Sequence, residues 1–291
     1  MRALGGRFHD MDTLANLIVT PPKGSGDEAH RQRLTITAHL YLKMPDNVKF
    51  QVLNSNFPLI NRWIFLQVGN RFEAYDPVSD RRVATDFRRL TGRDPGRLDT
   101  KMATLGLLFD PSRYKFQWLG RSTADGTPVY HIRMRLPKPE QLNPFTTIAY
   151  TDMFVDTVHY APVRSASYDA ANQLATTGEF REPKQTPVGW APTRITITDH
   201  AYERLRARRK HDIAALKNKA SGATNGALFT ETGAADPHAY RNGTLDLWIG
   251  AANGILFPSR MRATTPDGAT STWTFSNTKV NVGLGKSAFR L

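Results

Sequence analysis

The chain has 291 residues, of which 40% are hydrophobic and 22% are charged, a composition typical of a globular protein with a sizeable core. The 39 Lys and Arg residues exceed the 26 Asp and Glu residues, and the net charge of +13 favours an anionic partner or surface. The absence of cysteine excludes disulfides, thiolate metal sites and cysteine nucleophiles. No stretch approaches the ~18 apolar residues of a membrane-spanning helix.

The first elements in chain order are a short helical end and a strand. Residues Met1–Asp12 are predicted to finish a helix that leads into a strand at Thr13–Thr20. Pro21–Gly26 is rich in proline and glycine, which predicts a loop.

The next segment, residues 34–76, predicts an antiparallel meander with one apolar face. Every even position from Leu34 to Met44 is apolar, and the odd positions are mostly polar. Successive side chains of a strand point to opposite faces, so this alternation indicates a strand that is apolar on one side. Pro45–Asn47 predicts a turn. The same alternation predicts two further strands, at Val48–Val52 and Trp63–Val68. Gly69–Asn70 then predicts a tight hairpin turn into a strand at Phe72–Asp76.

A short helix is predicted at residues 99–110, after a strand that ends near Phe87. Asp99 or Thr100 can cap its start, and Pro111 stops it. Its apolar positions fall at helical spacing: Met102, Leu105, Leu108 and Phe109. Such a helix packs on the core over the sheet, or it is the lid of a cavity, and the two readings overlap because a lid packs on the core when the cavity is empty.

A hairpin with strong alternation follows this helix. Aromatic residues at Tyr114, Phe116 and Trp118 alternate with polar ones, and Asp125–Gly126 predicts the turn. The returning strand alternates apolar residues at Tyr130, Ile132, Met134 and Leu136. Together with two later meanders, the chain has roughly a dozen strand-like segments and no run of β-α-β units, which argues against a nucleotide-binding parallel sheet.

Residues 200–243 change in character and are predicted to be an insertion in the sheet, with a basic helix from His200 to about Ala220. The helix has five basic residues close together: Arg204, Arg206, Arg208, Arg209 and Lys210. They form a solvated face, or they contact anionic lipid head groups, where each basic residue contributes about 1 kcal/mol. Nucleic-acid binding is the least favoured reading, because only Tyr202 is available for base stacking.

Motifs for catalysis are weak throughout the chain. Gly283–Ser287 contains the Gly-Lys-Ser of a phosphate loop, but Val280 stands where the first glycine is required. The eight histidines show no metal-ligand spacing, and no Gly-x-Ser-x-Gly elbow is present. We therefore expect neither an enzyme nor a metal or cofactor site.

Three stretches resemble the outer-membrane lipoprotein carrier family (LolA and LolB) and its sorting-protein relatives. They are LYLKMPDNVKFQV at 40–52, FEAYDP at 72–77 and WTFSNTKVNVGLGKSAFRL at 273–291. The resemblance implies a mainly β, strongly curved, unclosed half-barrel with helices over its concave apolar face. It implies a single domain over residues 1–291, in the periplasm or cell envelope. Met1–Asp12 lacks the apolar core of a signal peptide, so we expect an export signal to have been removed or the start misassigned.

On this reading the apolar face is a cavity for the acyl chains of lipids or lipoproteins, and the helix at 99–110 is its lid. The predicted lining residues are Leu34, Ile36, Leu40, Leu42, Phe50, Val52, Trp63, Phe65, Tyr114, Phe116, Trp118, Ile132 and Met134. We expect a monomer whose further contacts are an anionic membrane surface or envelope transport proteins. The alternative is an envelope sensor or interaction domain that does not transport, in which side chains plug the cavity.

Overall fold

The computed structural model describes residues 9–22, 33–44, 46–86, 113–143, 146–186, 189–200, 242–252, 254–265 and 268–290. Within these ranges the chain forms fifteen β-strands in one sheet. The strands are β1 (Asp10–Thr20), β2 (Leu34–Lys43), β3 (Asn47–Ser55), β4 (Ile64–Val68), β5 (Arg71–Asp76), β6 (Arg81–Asp86), β7 (Lys115–Ala124), β8 (Thr127–Asn143), β9 (Thr146–Asp156), β10 (Pro162–Tyr168), β11 (Leu174–Thr186), β12 (Gly189–Asp199), β13 (Gly243–Ala252), β14 (Ile255–Thr264) and β15 (Thr270–Val280).

The sheet is an antiparallel meander that is not closed into a barrel. Its strand order is β6-β5-β4-β3-β2-β1-β15-β14-β13-β12-β11-β10-β9-β8-β7. Neighbours in the sheet are neighbours in sequence, except that β1 pairs with β15 as well as with β2. The two edges are β6 and β7. The predicted unclosed antiparallel sheet is therefore confirmed, with fifteen strands in the described ranges rather than roughly a dozen.

The predicted meander of residues 34–76 is present as β2 to β5. The apolar residues of β2 and β3 lie on the same face of the sheet, and Leu40 is directly paired with Phe50. Gly69, at the tight hairpin between β4 and β5, has a φ of 57°, a conformation that glycine adopts without steric cost.

The predicted helical end at the N-terminus is wrong for residues 10–12, because β1 begins at Asp10. Met11 is buried and is paired with Leu42 on one side and Val280 on the other, so the closing β1–β15 ladder extends the strand. Residues 1–8 lie outside the described ranges.

Two predicted helices also lie outside the described ranges. One is the helix at 99–110, with Met102, Leu105, Leu108 and Phe109. The other is the basic helix after His200, with Arg204, Arg206, Arg208, Arg209 and Lys210. The described chain leaves the sheet after Asp199 and re-enters it at Gly243, and these two residues are paired with each other across β12 and β13.

The helical structure within the described ranges consists of short 3₁₀ turns, including Pro58–Ile60 and Lys286–Phe289. None of the helices in this part of the chain has the length and apolar character needed to cross a bilayer.

One face of the sheet is mainly apolar from β7 to β2. Directly paired residues of antiparallel strands share a face, so the register defines rows of side chains across the sheet. One row runs from β7 to β2: Trp118, Ile132, Met153, Ser165, Gly178, Ile197, Leu245, Ala263, Ser271, Val19 and Leu34. A second row runs from β11 to β2: Phe180, Ile195, Leu247, Met261, Trp273, Leu17 and Ile36.

The opposite face is mainly polar. The row behind Trp118 and Ile132 runs from β7 to β1: Gln117, Arg133, Asp152, Ala166, Thr177, Thr198, Thr244, Thr264, Thr270 and Thr20. The one-sided apolar pattern of β2 and β3 therefore extends across the sheet.

The apolar face is concave. The rings of Phe50 on β3 and Trp273 on β15 have centroids 5.8 Å apart. Two strands lie between them, so their backbones would be about 14 Å apart in a flat sheet. The rings meet because the sheet curls toward the apolar side.

Candidate functional site: the concave apolar face

The register places the predicted lining residues on the concave face. In the N-terminal strands, Leu40 pairs with Phe50, and Phe50 pairs with Phe65. At the other edge, Phe116 pairs with Met134 and Trp118 pairs with Ile132. Trp63 immediately precedes β4, and its ring centroid lies 5.8 Å from that of Phe65. Tyr114 immediately precedes β7, and its ring centroid lies 6.3 Å from that of Phe116.

The middle of the concave face is filled with protein side chains. Ala15 and Ala38 face each other across β1 and β2 and are fully buried. Larger residues from the flanking strands pack over these alanines. We call this region the filled centre, and its buried residues are Met11, Ala15, Ile36, Ala38, Leu40 and Val52. Ile255 and Phe257 of β14 pack into it from the other side.

A second packed region lies on β12 and β13. Ile195 and Leu247 are directly paired and buried, and Phe180, Ile249 and Met261 pack around them. Like the filled centre, this region has little room for a ligand, because its side chains contact one another.

Small side chains line the concave face between this second region and β8. Ser165 and Gly178 are paired, and the hydroxyls of Thr151 and Ser167 lie 2.9 Å apart. The aromatic ring of Phe180 lies beside Gly178, so that a Cβ at Gly178 would lie 3.3 Å from its Cε2 atom. Small side chains therefore form the floor of the concave face here, and the ring of Phe180 lies against it.

The edge formed by β7 and β8 has exposed aromatic side chains. Phe116 is 48% exposed and Trp118 is 56% exposed, although both belong to the apolar rows. The ring of Trp118 lies 5.3 Å from that of Tyr130, which stacks in turn on Tyr160 at 6.0 Å. We call Phe116, Trp118, Tyr130 and Tyr160 the open edge.

The turn that holds Tyr160 is fixed by one buried carboxylate. Asp156 accepts hydrogen bonds from the backbone N–H groups of Val158 at 2.7 Å and His159 at 2.9 Å. Burial raises the pKa of Asp156, but the N–H donors of His159, Val158 and Ala161 outweigh burial and keep this pKa below its ordinary value. Tyr160 has a φ of 57°, which is uncommon for a bulky residue, and the turn holds this backbone conformation.

An ion pair on the convex face supports the open edge from behind. Arg133 of β8 donates to both carboxylate oxygens of Asp152 on β9, at 2.7 Å and 2.8 Å. Asp152 is only 5% exposed. Burial raises its pKa, but the hydrogen bond and charge of Arg133 outweigh burial, with the charge of His131 adding to them, so the pKa lies below its ordinary value.

Sequence reasoning missed about half of the concave face. The missed residues are Ile195, Leu247, Ile255, Phe257, Trp273 and Phe275, on β12 to β15, and Tyr130 and Tyr160 at the open edge. The alternation of Trp273 with Phe275, and of Tyr130 with the predicted Ile132, is a signal that could have found Trp273, Phe275 and Tyr130. Tyr160 is in a turn, where alternation does not apply.

The described residues contain no group of three or more His, Asp or Glu side chains that could hold a metal ion. The contacts that the concave face offers are mainly apolar and aromatic, with hydroxyls on its floor and Arg121 over the ring of Tyr130, and it can bury hydrocarbon.

Several solved structures are similar to this chain. A putative outer membrane lipoprotein-sorting protein domain from Vibrio parahaemolyticus has 12% identity and a TM-score of 0.41, and the match covers 98% of this chain and 91% of that one. A DUF1329 family protein from Desulfovibrio piger has 13% identity and a TM-score of 0.44, covering 97% and 90%. A LolA superfamily protein from Nitrosomonas europaea has 11% identity and a TM-score of 0.43, covering 99% and 93%.

No protein-family model and no curated protein matches the chain.

Proposed function

We propose that the protein is a carrier or binding protein for the acyl chains of lipids or lipoproteins in the bacterial cell envelope, and not an enzyme. The observation that carries this proposal is the open edge, where exposed aromatic rings continue an apolar concave face. Monomeric proteins rarely leave large contiguous apolar patches in water, and those that do use them for binding.

The energetics of acyl binding suit a face without polar recognition groups. Each buried methylene contributes about 0.8 kcal/mol, so one long chain supplies ample binding energy. The small residues Ser165, Ser167 and Gly178 form the floor of the face near this edge, and Phe116 and Trp118 add exposed aromatic surface to it. The binding site in this proposal is therefore the strip from the open edge to the small-residue floor.

The proposal includes a lid and a membrane contact. The helix predicted at 99–110 connects β6 to β7, the two edges of the sheet, and would cover the face when no ligand is bound. The basic helix that follows His200 would contact anionic head groups. We also propose that residues 1–291 form a single domain, with 200–243 inserted between β12 and β13, and that the protein works in the periplasm or cell envelope.

Native mass spectrometry of the purified protein tests the proposal. We expect lipid or fatty-acid adducts on the wild-type chain. Phe116→Asp and Trp118→Asp should lose these adducts, because a carboxylate on the concave face opposes burial of hydrocarbon. Val78→Asp is the matched control, since Val78 is 76% exposed in the turn after β5 and lies off the face. Lipid adducts that survive both edge substitutions would contradict the carrier proposal. A wild-type protein that carries no lipid after mild purification would contradict it as well.

The filled centre favours a second candidate function. Its side chains already occupy the middle of the concave face, as expected of a sensor or interaction domain whose cavity is plugged. In that case the purified protein would carry no lipid, and the substitutions at Phe116 and Trp118 would weaken binding of a protein partner instead. The mass-spectrometric experiment separates the two candidates.

A further inference from the structure

A cleft on the convex face is independent of the proposed acyl site. It has a volume of about 400 Å³ and lies between β4–β6 and the C-terminal segment. Leu66 and Phe289, both buried, form its apolar wall, and Arg71, Glu73, Arg82 and Arg290 supply its charges. Such a volume lies within the range of small-molecule binding sites.

The polar side of the cleft is built around one buried carboxylate. Glu73 is 3% exposed and is held by two guanidinium groups from neighbouring positions of the β5–β6 hairpin. Arg82 donates its Nε–H to Oε2 of Glu73 at 2.8 Å, and Arg71 pairs with Oε1 through its own Nε. Arg82 also donates an Nη2–H to the same Oε2 atom, so Arg82 is anchored through two donors and Arg71 through one. Each guanidinium group has five N–H donors, so both are fixed in position and keep further donors.

The C-terminal segment is also held in place. Lys49 donates to the backbone oxygen of Arg290 at 2.6 Å, and Lys43 donates to the backbone oxygen of Leu284. These lysines lie on the convex sides of β3 and β2, so the segment is tied across the sheet beside the cleft. Arg290 is therefore presented to the cleft by a fixed backbone.

The charges in the cleft do not balance. Arg71, Arg82 and Arg290 contribute three positive charges and Glu73 contributes one negative charge, which leaves a surplus of two. Asp86, opposite Arg71 in the ladder, accepts a hydrogen bond from Asn70 at 2.6 Å and is not part of the cleft lining. A surplus of fixed guanidinium groups matches a phosphate group, which accepts paired hydrogen bonds from arginine and carries up to two negative charges.

We propose that this cleft binds a phosphate group. The buried Leu66 and Phe289 beside the arginines suit a phosphate that carries an apolar substituent, such as a phospholipid head group, although free phosphate shares the same recognition chemistry. The site lies on the face opposite the acyl strip, so the two sites can be occupied or lost separately.

Titration calorimetry on the full chain in chloride buffer tests the site with two probes, inorganic phosphate and soluble dihexanoyl phosphatidic acid. The key variant is Arg290→Gln, because its side chain does not hold Glu73 and its loss leaves the buried ion pair intact. We expect it to weaken binding of the phosphate group roughly tenfold, the cost of losing a charged hydrogen-bond donor. Arg71→Lys, which keeps the charge but not the planar fork, should give a smaller loss.

Arg181→Gln is the matched control, because Arg181 is an exposed arginine paired with Glu179 elsewhere on the convex face. Dihexanoyl phosphatidylcholine has the same chains with a zwitterionic head group, and its affinity should not change in Arg290→Gln. Tighter binding of phosphatidic acid than of inorganic phosphate assigns the site to a head group, and equal binding assigns it to free phosphate. The inference is overturned if neither probe binds, or if Arg290→Gln and Arg181→Gln behave alike.

Discussion

The filled centre and the open edge belong to the same apolar face, and they differ in what covers them. At the filled centre, Ala15 and Ala38 form the floor and the aromatic residues of β3 and β15 lean over it, with Phe50 and Trp273 in contact. At the open edge, β7 is the last strand of the sheet in the described ranges, and about half of the side chains of Phe116 and Trp118 is exposed. The same alternation of residues thus gives a core in one place and a candidate binding surface in the other, depending on the curl of the sheet.

The largest expected effect is on the stability of the filled centre. Leu40→Ala removes a buried side chain that packs with Met11 and Phe257, and it should lower the free energy of unfolding by about 3 kcal/mol. Phe116→Ala at the open edge should cost about 1 kcal/mol or less, because roughly half of that ring is already exposed. Urea unfolding of both variants measures the difference. Equal losses would mean that the edge is packed as tightly as the centre.

The next effect concerns the ion pair behind the open edge. Asp152→Asn leaves Arg133 without its partner and should lower the free energy of unfolding by about 2 kcal/mol at neutral pH. The folded pKa of Asp152 lies below its ordinary value of 3.8, so its contribution is present above that pH and is lost as the pH falls through the folded pKa.

The stability difference between wild type and Asp152→Asn should therefore shrink as the pH falls below the ordinary pKa of the carboxyl, and it should disappear once the pH is below the folded pKa. Unfolding curves at pH 7 and at about pH 3 test this dependence. A difference that stays constant across this range would show that Arg133 and Asp152 are not coupled through charge.

A smaller effect is expected on the floor between the two regions. The Cβ in Gly178→Ala would overlap the hydroxyl of Ser165 and crowd the ring of Phe180, at a cost of about 1–2 kcal/mol. Adding Ser165→Ala removes that hydroxyl and should restore about half of the loss. A thermal melt of the single and double variants measures both steps, and full additivity would contradict the close approach of these two residues.

The smallest stability effect is expected at the open edge, where binding should change instead. Trp118→Ser should leave the free energy of unfolding within about 1 kcal/mol of the wild type, because more than half of the side chain is in water. The same change should weaken binding of a fluorescent fatty acid by about tenfold through the apolar contact that is lost. Val78→Ser is the control. If it weakens fatty-acid binding as much as Trp118→Ser does, the open edge is not the binding surface.

Much of the strand pattern could be predicted from local alternation. The face of the even residues of β2 and of the aromatic residues of β7 can be predicted from sequence, because successive side chains of a strand point to opposite faces. The helical end at Met1–Asp12 was mispredicted over residues 10–12, because the strand continues there through pairing with β15, more than 260 residues away in sequence. Local sequence does not reveal such a partner.

The state of the candidate site could not be predicted in the same way. Leu40 and Trp118 both sit at apolar positions of alternating strands, yet one is buried and the other exposed. The difference comes from the sheet curvature and from the register across β8 to β15, which together decide which side chains meet over the floor. Tyr160 could not be predicted for another reason. It lies in a turn held by Asp156, where the alternation of a strand does not apply.

The position of a bound acyl chain is the most direct test of the account. The chain has five tryptophans, with Trp118 at the open edge and Trp248 on the convex face between Arg194 and Arg260. Protein labelled with 5-fluorotryptophan gives a ¹⁹F signal for each, and single Trp→Phe variants assign them. On addition of a spin-labelled stearate, the account predicts that the signal of Trp118 broadens while that of Trp248 does not. Stearate that binds and broadens both equally, or only Trp248, would contradict it.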